Sequence, residues 1–310
     1  MNNIVYASDS NYNNQLYYSI FSLLENYLTD INIHVIHKDP STFEEYKRNL
    51  IEKFINVNIY VYKFDSSSFE FPNIKNKHVS EATYYRLFID RYLPKTIEYY
   101  IYLDADIICI NNPTFYLNEI VREMRKEDFV IGCRTENNKI EIANNIFENL
   151  SMSSSKYFNA GVMIVNHQKW IERDIGKKLL LKLEDIRDKI NYWDQDVLNA
   201  FFDGTYKEIS QNLNFPLNLR WPIDCKEVEQ KGIFLHYQSN NKPWFIRGSF
   251  NEASKYYQNY ALKIHNNYHL VKTVKRYDIL HLTINSLKLK FKFFHKPLKF
   301  YKESFKLILN

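Results

Sequence analysis

Residues Tyr99 to Ile110 read YYIYLDADIICI, a β-type apolar run broken by two aspartates one residue apart. Burying an unpaired carboxylate costs several kcal/mol, so a strand cannot continue through them. The strand is therefore expected to stop at Leu103, with the following turn presenting Asp104 and Asp106 to a shared cation. The chain has 310 residues. That is enough for one large domain with a two-sided sheet, or for a domain plus a tail.

The rest of the first two-thirds alternates as an α/β protein does. Strands are expected at 3–7, 31–37, 57–63 and 99–103, and further short buried strands at 129–133, 161–166 and 233–237. Helices are expected at 14–27, with Leu16, Ile20, Leu23, Leu24 and Tyr27 on one face, and at 42–54, opened by Ser41 or Thr42. Two more are expected at 80–92, capped by Ser80 and stopped before Pro94, and at 194–202. Polar residues follow the strands at their C-terminal ends, where open α/β sheets bind ligands. Asp9, Asn11, Asp104, Asp106, Asn159 and His236 all lie near such ends.

Composition narrows the function. Only 6 Gly and 8 Pro are present, which leaves no room for a low-complexity linker. The three cysteines (Cys109, Cys133, Cys225) are odd in number and far apart, so neither a disulfide framework nor a zinc site follows. The N-terminus lacks a basic flank and a sustained apolar core, and no run reaches 18 apolar residues. A cytoplasmic protein is expected. Net charge is +5, yet the last 25 residues carry seven lysines against one acid, Glu303. The remainder is close to neutral, which argues against nucleic acid as a partner.

Several segments offer chemistry. Asp9 and Asn11 follow the first strand in ASDSNY, a turn without the glycines of a phosphate loop but suited to a base or ribose; an Asx-capped turn uses the same residues. Asp104 and Asp106 offer hard oxygens for Mg²⁺ or Mn²⁺, and an imidazole from His236 would tilt the choice toward Mn²⁺. Lys242, before Pro-Trp, can bind a phosphate as a point charge. In FNAGVMIVN, small residues beside Asn159 leave room for a ligand against the backbone. WDQDVLN opens a helix with Asp194 and Asp196 in its first turn, where the dipole favours acids. It also places Gln195 between them. Arg86, in ATYYRLF, can reach a diphosphate or close an ion pair.

Taken together, VYASDSNY, ATYYRL, YLDADI, FNAGVMIVN, WDQDVLN and HYQSNNKPW resemble, in order and over residues 3 to 247, the glycosyltransferase family 8 enzymes, especially the bacterial lipooligosaccharide galactosyltransferases and their glucosyltransferase relatives. The resemblance implies a GT-A fold, a Rossmann-like α/β architecture with a mostly parallel sheet, and retaining transfer of galactose or glucose from a UDP-sugar to a glycan acceptor. It implies Mn²⁺, or Mg²⁺, on Asp104, Asp106 and His236. The donor would be met by Ala7, Asp9, Asn11, Arg86, Asp104, Ala105, Asn159, Ala160, Asp194, Gln195, Ser239 and Lys242, with Gln195 and Asp194 at the reacting centre. Ser239 stands where the family usually has glycine. If that backbone needs a positive φ, serine costs about 1 kcal/mol or shifts the loop.

The resemblance ends before the tail, so residues 1–265 are expected to form the catalytic domain and 266–310 a basic, aromatic extension. LKLKFKF alternates apolar residues with lysine. After Pro297, Leu298, Tyr301, Phe305 and Ile308 fall at helical spacing with lysines beside them. That pattern suits peripheral attachment to an anionic membrane surface and a lipid-linked acceptor; a helix packed on the domain with solvated lysines has the same spacing. Two other functions compete. A sugar-1-phosphate nucleotidylyltransferase needs a glycine-rich first turn, which ASDSNY lacks. A non-catalytic glycan- or membrane-binding module has no use for paired aspartates, His236 and Lys242.

Overall fold

A computed structural model of the protein describes residues 2–65, 69–72, 80–136, 145–238 and 240–309. Ser239 lies outside the described residues. The chain divides into two compact units, the first from 1–17, 27–105 and 112–213, the second from 18–26, 106–111 and 214–310.

The first unit is built on a seven-stranded sheet. Its strands are β1 (Asn3–Ser8), β2 (Ile31–His37), β3 (Val57–Lys63), β4 (Tyr99–Leu103), β6 (Ile131–Thr135), β7 (Phe158–Asn166) and β8 (Lys207–Glu208), in the order β3-β2-β1-β4-β7-β6-β8. The pairs β1–β2, β2–β3, β1–β4 and β6–β8 are parallel, while β7 runs antiparallel to both β4 and β6. Every residue of β4 and β7 is buried, as their unbroken apolar runs require of strands covered on both faces. One core joins them to the segment Glu81–Arg91 and the helices Ile175–Asp185 and Trp193–Phe202 through Val5, Tyr85, Phe88, Tyr100, Met163, Leu179 and Val197.

The expected strands at 31–37, 57–63 and 99–103 are found at those bounds. Of the elements that differ, three have a clear physical reason. Residues 81–91 form a 3-10 helix of eleven residues, with Ser80 as its cap, accepting from Ala82 N at 3.1 Å. The helix expected from 42 begins at Glu44, because Asp39 and Pro40 first open a 3-10 turn over Pro40–Phe43. β7 starts three residues earlier than expected, at Phe158, since β6 pairs with its first two residues, Arg134 with Asn159 and Thr135 with Phe158. Asn159, Ala160 and Gly161 are thus within a strand.

The second unit holds a three-stranded sheet in the order β5 (Ile107–Cys109), β10 (Phe234–His236), β9 (Phe215–Pro216). Its helices include Cys225–Lys231, Lys255–His265, Lys275–Leu287 and Pro297–Leu309. Ile246, Phe250, Tyr268, Leu282, Phe294, Phe300 and Ile308 make a small core there. The helix expected after Pro297 is present, but it buries Phe300, Ser304 and Ile308, while Leu298, Tyr301 and Phe305 remain exposed. Of LKLKFKF, Leu287 ends a helix and residues 288–293 form turns, with Leu289 at φ 54°. No described helix is long and apolar enough to cross a membrane. All three cysteines are free and buried, and burial raises each thiol pKa above its ordinary value.

Candidate active site

In the first unit, β4 ends at Leu103 as the aspartates require, and Asp104 N donates to Gly161 O at 2.9 Å. Tyr102 OH donates to Asp104 Oδ1 at 2.9 Å, and Arg86 reaches the same oxygen at 3.2 Å. Arg86 is buried over the Tyr102 ring, 4.7 Å from its centroid. It also donates to Ala160 O at 2.5 Å and pairs with Asp194. Thr83, three residues earlier, donates to Asp194 Oδ1 at 2.5 Å. The 3-10 period of three residues lines these two side chains up on one carboxylate. Burial opposes the charge on Arg86, yet Asp104 and Asp194 outweigh it and raise its pKa. Burial pushes the Asp194 carboxyl up to about 6 against the pull of Arg86.

Asp194 and Gln195 open the helix Trp193–Phe202 through a strained turn, with Trp193 at φ 53°. Asp196 holds that turn. Its Oδ2 accepts from Asn191 N and Tyr192 N, both at 2.7 Å, and its Oδ1 accepts from Tyr157 OH at 2.6 Å. Gln195 is fixed at both ends of its amide. Oε1 accepts from Ala160 N at 3.1 Å and Asn159 Nδ2 at 3.4 Å, while Nε2 donates to Glu136 Oε2 and Tyr157 OH, each at 3.3 Å. Asp9, buried after β1 and the buried Ala7, makes the Asx cap: it accepts from Asn11 N at 2.9 Å and from Ser80 Oγ.

In the second unit, Asp106 precedes β5 and His236 ends β10. His236 Nδ1 meets Asn214 Oδ1 at 3.0 Å. A carboxamide oxygen only accepts, so the proton sits on Nδ1 and Nε2 carries a lone pair. Gln238 Nε2 approaches the same nitrogen at 3.5 Å, the limit of a hydrogen bond, so the shorter contact decides the tautomer. Nε2 then faces Asp106 Oδ1 at 3.4 Å, and that oxygen has no hydrogen-bond partner among the described residues. Two acceptors facing each other repel unless a cation joins them. Asp106 Oδ2 is held by Lys242 Nζ at 2.6 Å, and Lys242 also donates to Tyr237 O at 2.6 Å. Burial would raise the Asp106 pKa, but the Lys242 ammonium counters it most strongly, and the carboxyl lies below the ordinary range.

Asp106 and His236 thus face each other within the second unit, and Asp104 lies two residues before Asp106 in the chain. A carboxylate oxygen without a hydrogen-bond partner among the described residues, facing a neutral imidazole braced by a carboxamide, is a donor pair that suits a divalent cation. Sequence reasoning missed Asn214, Glu136, Tyr157 and Thr83. Glu136 had a findable signal: it follows a buried strand, β6, whose end was expected two residues too early.

A model of glycosyl transferase family 8 matches residues 3–247. Similar proteins include a lipopolysaccharide 1,2-glucosyltransferase of Escherichia coli, 28% identical over 89% of this chain and 83% of its own length. Another is a lipopolysaccharide 1,3-galactosyltransferase of Salmonella typhimurium, 27% identical over 82% of this chain and 76% of its own. The crystal structure of the galactosyltransferase LgtC with donor and acceptor sugar analogues has a TM-score of 0.63 at 24% identity, covering 78% of this chain and 89% of that one. The architecture is the GT-A fold. On the match over residues 3–247, the chain belongs to glycosyltransferase family 8.

Proposed function

We propose that this chain transfers a hexose, galactose or glucose, from a UDP-sugar to a hydroxyl of a glycan acceptor, with retention of configuration. The observation that carries the reading is the facing pair of Asp106 Oδ1 and His236 Nε2, beside Lys242. Asp104, Asp106 and His236 would hold Mn²⁺, with Mg²⁺ as the other candidate. When bound, the ion neutralises the charge that builds on a departing diphosphate.

Lys242 adds a second positive charge for the diphosphate. Ala7, Asp9 and Asn11 meet the uridine, and Ala105, Asn159, Ala160, Asp194 and Gln195 surround the sugar. Arg86 orients Asp104 and Asp194 from beneath. A carboxamide is a poor nucleophile, so Gln195 positions the sugar, and the acceptor hydroxyl attacks C1 from the face the diphosphate leaves. The C1–O bond to the diphosphate breaks as the new glycosidic C1–O bond forms. The hydroxyl proton passes to a leaving phosphate oxygen.

The relatives act on lipopolysaccharide, by their names, and a lipopolysaccharide-type glycan, lipid-linked, is our proposed acceptor. Residues 1–265 are the proposed catalytic domain. Residues 266–310 attach it to the cytoplasmic face of an anionic membrane.

The test is a donor screen of UDP-galactose, UDP-glucose and UDP-N-acetylhexosamines, with Mn²⁺ or EDTA, reading UDP. One UDP-hexose is expected to dominate, EDTA to stop release, and Asp106→Ala to lower turnover by about 100-fold or more. Pyrophosphate release from UTP and a hexose 1-phosphate would replace transfer by nucleotidyl chemistry. No UDP from any donor would leave a binding module.

A further inference from the structure

The helices Lys275–Leu287 and Pro297–Leu309 enclose an apolar groove of about 570 Å³, the size of a small-molecule pocket. Ile279, Leu282 and Leu287 supply one wall, and Leu298, Tyr301 and Phe305 the other. Leu287 and Leu298 are 80% and 81% exposed. Beside the groove, Tyr277, Leu280 and Ile284 are exposed as well. Soluble proteins rarely leave so much contiguous apolar surface without a partner.

Charge indicates which partner. At 100° per residue, the last helix divides into three sectors. Phe300, Ser304 and Ile308 enter the core, Leu298, Tyr301 and Phe305 line the groove, and exposed Lys302 and Lys306 border it. The turn joining the helices adds exposed Lys288, Lys290 and Lys292. The one acid of this stretch, Glu303, accepts from Tyr268 N at 2.9 Å and pairs with Lys299 at 3.6 Å. A second copy of the chain would bring the same lysines against themselves.

We propose that the groove takes an acyl chain of an anionic phospholipid, with the bordering lysines on headgroup phosphates. The proposal rests on the reading of the tail as a membrane attachment and names what the tail grips. Lysine stems lie along apolar surface while their ammonium groups reach the phosphate level.

The test uses the full-length protein and two probes. One is vesicles of phosphatidylcholine with or without phosphatidylglycerol. The other is dihexanoyl-phosphatidylglycerol below its micelle concentration. Wild type is expected to sediment with the phosphatidylglycerol vesicles and to gain thermal stability from the short lipid. The double variant Leu298→Ser, Phe305→Ser is expected to lose vesicle affinity by about tenfold or more and to ignore the short lipid, with UDP release unchanged. If that variant binds vesicles as wild type does, and the short lipid leaves wild type unmoved, the groove proposal fails while surface attachment stands. If wild type binds neither vesicle, both fail. Concentration-dependent dimerisation abolished by the same variant would instead assign the groove to a second copy.

Discussion

Asn214 is buried and touches no reacting atom in the proposed chemistry, yet its carboxamide decides which nitrogen of His236 is left with a lone pair. Replacing it by alanine frees the ring to rotate or to protonate on Nε2. Asn214→Ala is expected to weaken Mn²⁺ affinity by about 10- to 100-fold, as loss of a ligand's supporting partner generally does. Asn214→Asp, which keeps an acceptor, should retain most of it. Calorimetric titration of the protein with Mn²⁺ measures this directly, and an unchanged affinity in the alanine variant would remove His236 from the ligand set. Asp104, Asp106, His236 and Lys242 could be proposed from the sequence because charged or titratable side chains beside buried runs demand a reason. Asn214, Glu136 and Tyr157 were not. Their importance comes from partners 22, 59 and 38 residues away along the chain, which no local pattern encodes.

Among the elements, the turn into Trp193–Phe202 couples stability to the site. Asp196 satisfies two backbone N–H groups and a buried tyrosine hydroxyl there, and the residues just before it are Asp194 and Gln195. Asp196→Ala strands those three donors, and each unmet buried group costs about 1–3 kcal/mol. The variant should unfold at clearly lower denaturant and raise the donor KM. A raised KM without lost stability would mean that Asp196 acts on substrate rather than on the turn. Element positions were mostly readable from β-branched and aromatic runs. The helix type at 81–91 was not, because Ala82 and every residue from Tyr84 to Ile89 are buried, and a helix buried on all sides shows no periodicity that separates three residues per turn from 3.6.

Over the whole molecule, each unit buries a histidine that stays neutral. Burial lowers His34 in the first unit and His269 in the second to about 4, from an ordinary 6.5. Between those values the unfolded chain binds more protons than the folded one, so stability is full above about pH 6.5 and falls as the pH drops toward 4. Urea midpoints measured from pH 7.5 down to 5 should decline accordingly, and His34→Gln should flatten part of that slope. A flat profile in the wild type would show that these rings charge without cost. Charge at this scale was readable too, since the excess of lysine lies in the last 25 residues. How those residues fold was not, because one sector of the final helix faces a core that only the assembled unit creates. The hidden thiols have a practical outcome. With Cys109, Cys133 and Cys225 buried and their ionisation suppressed, one cysteine introduced at exposed Lys302 would be the sole target of a maleimide, so a spin or fluorescent reporter can be carried by an otherwise native enzyme.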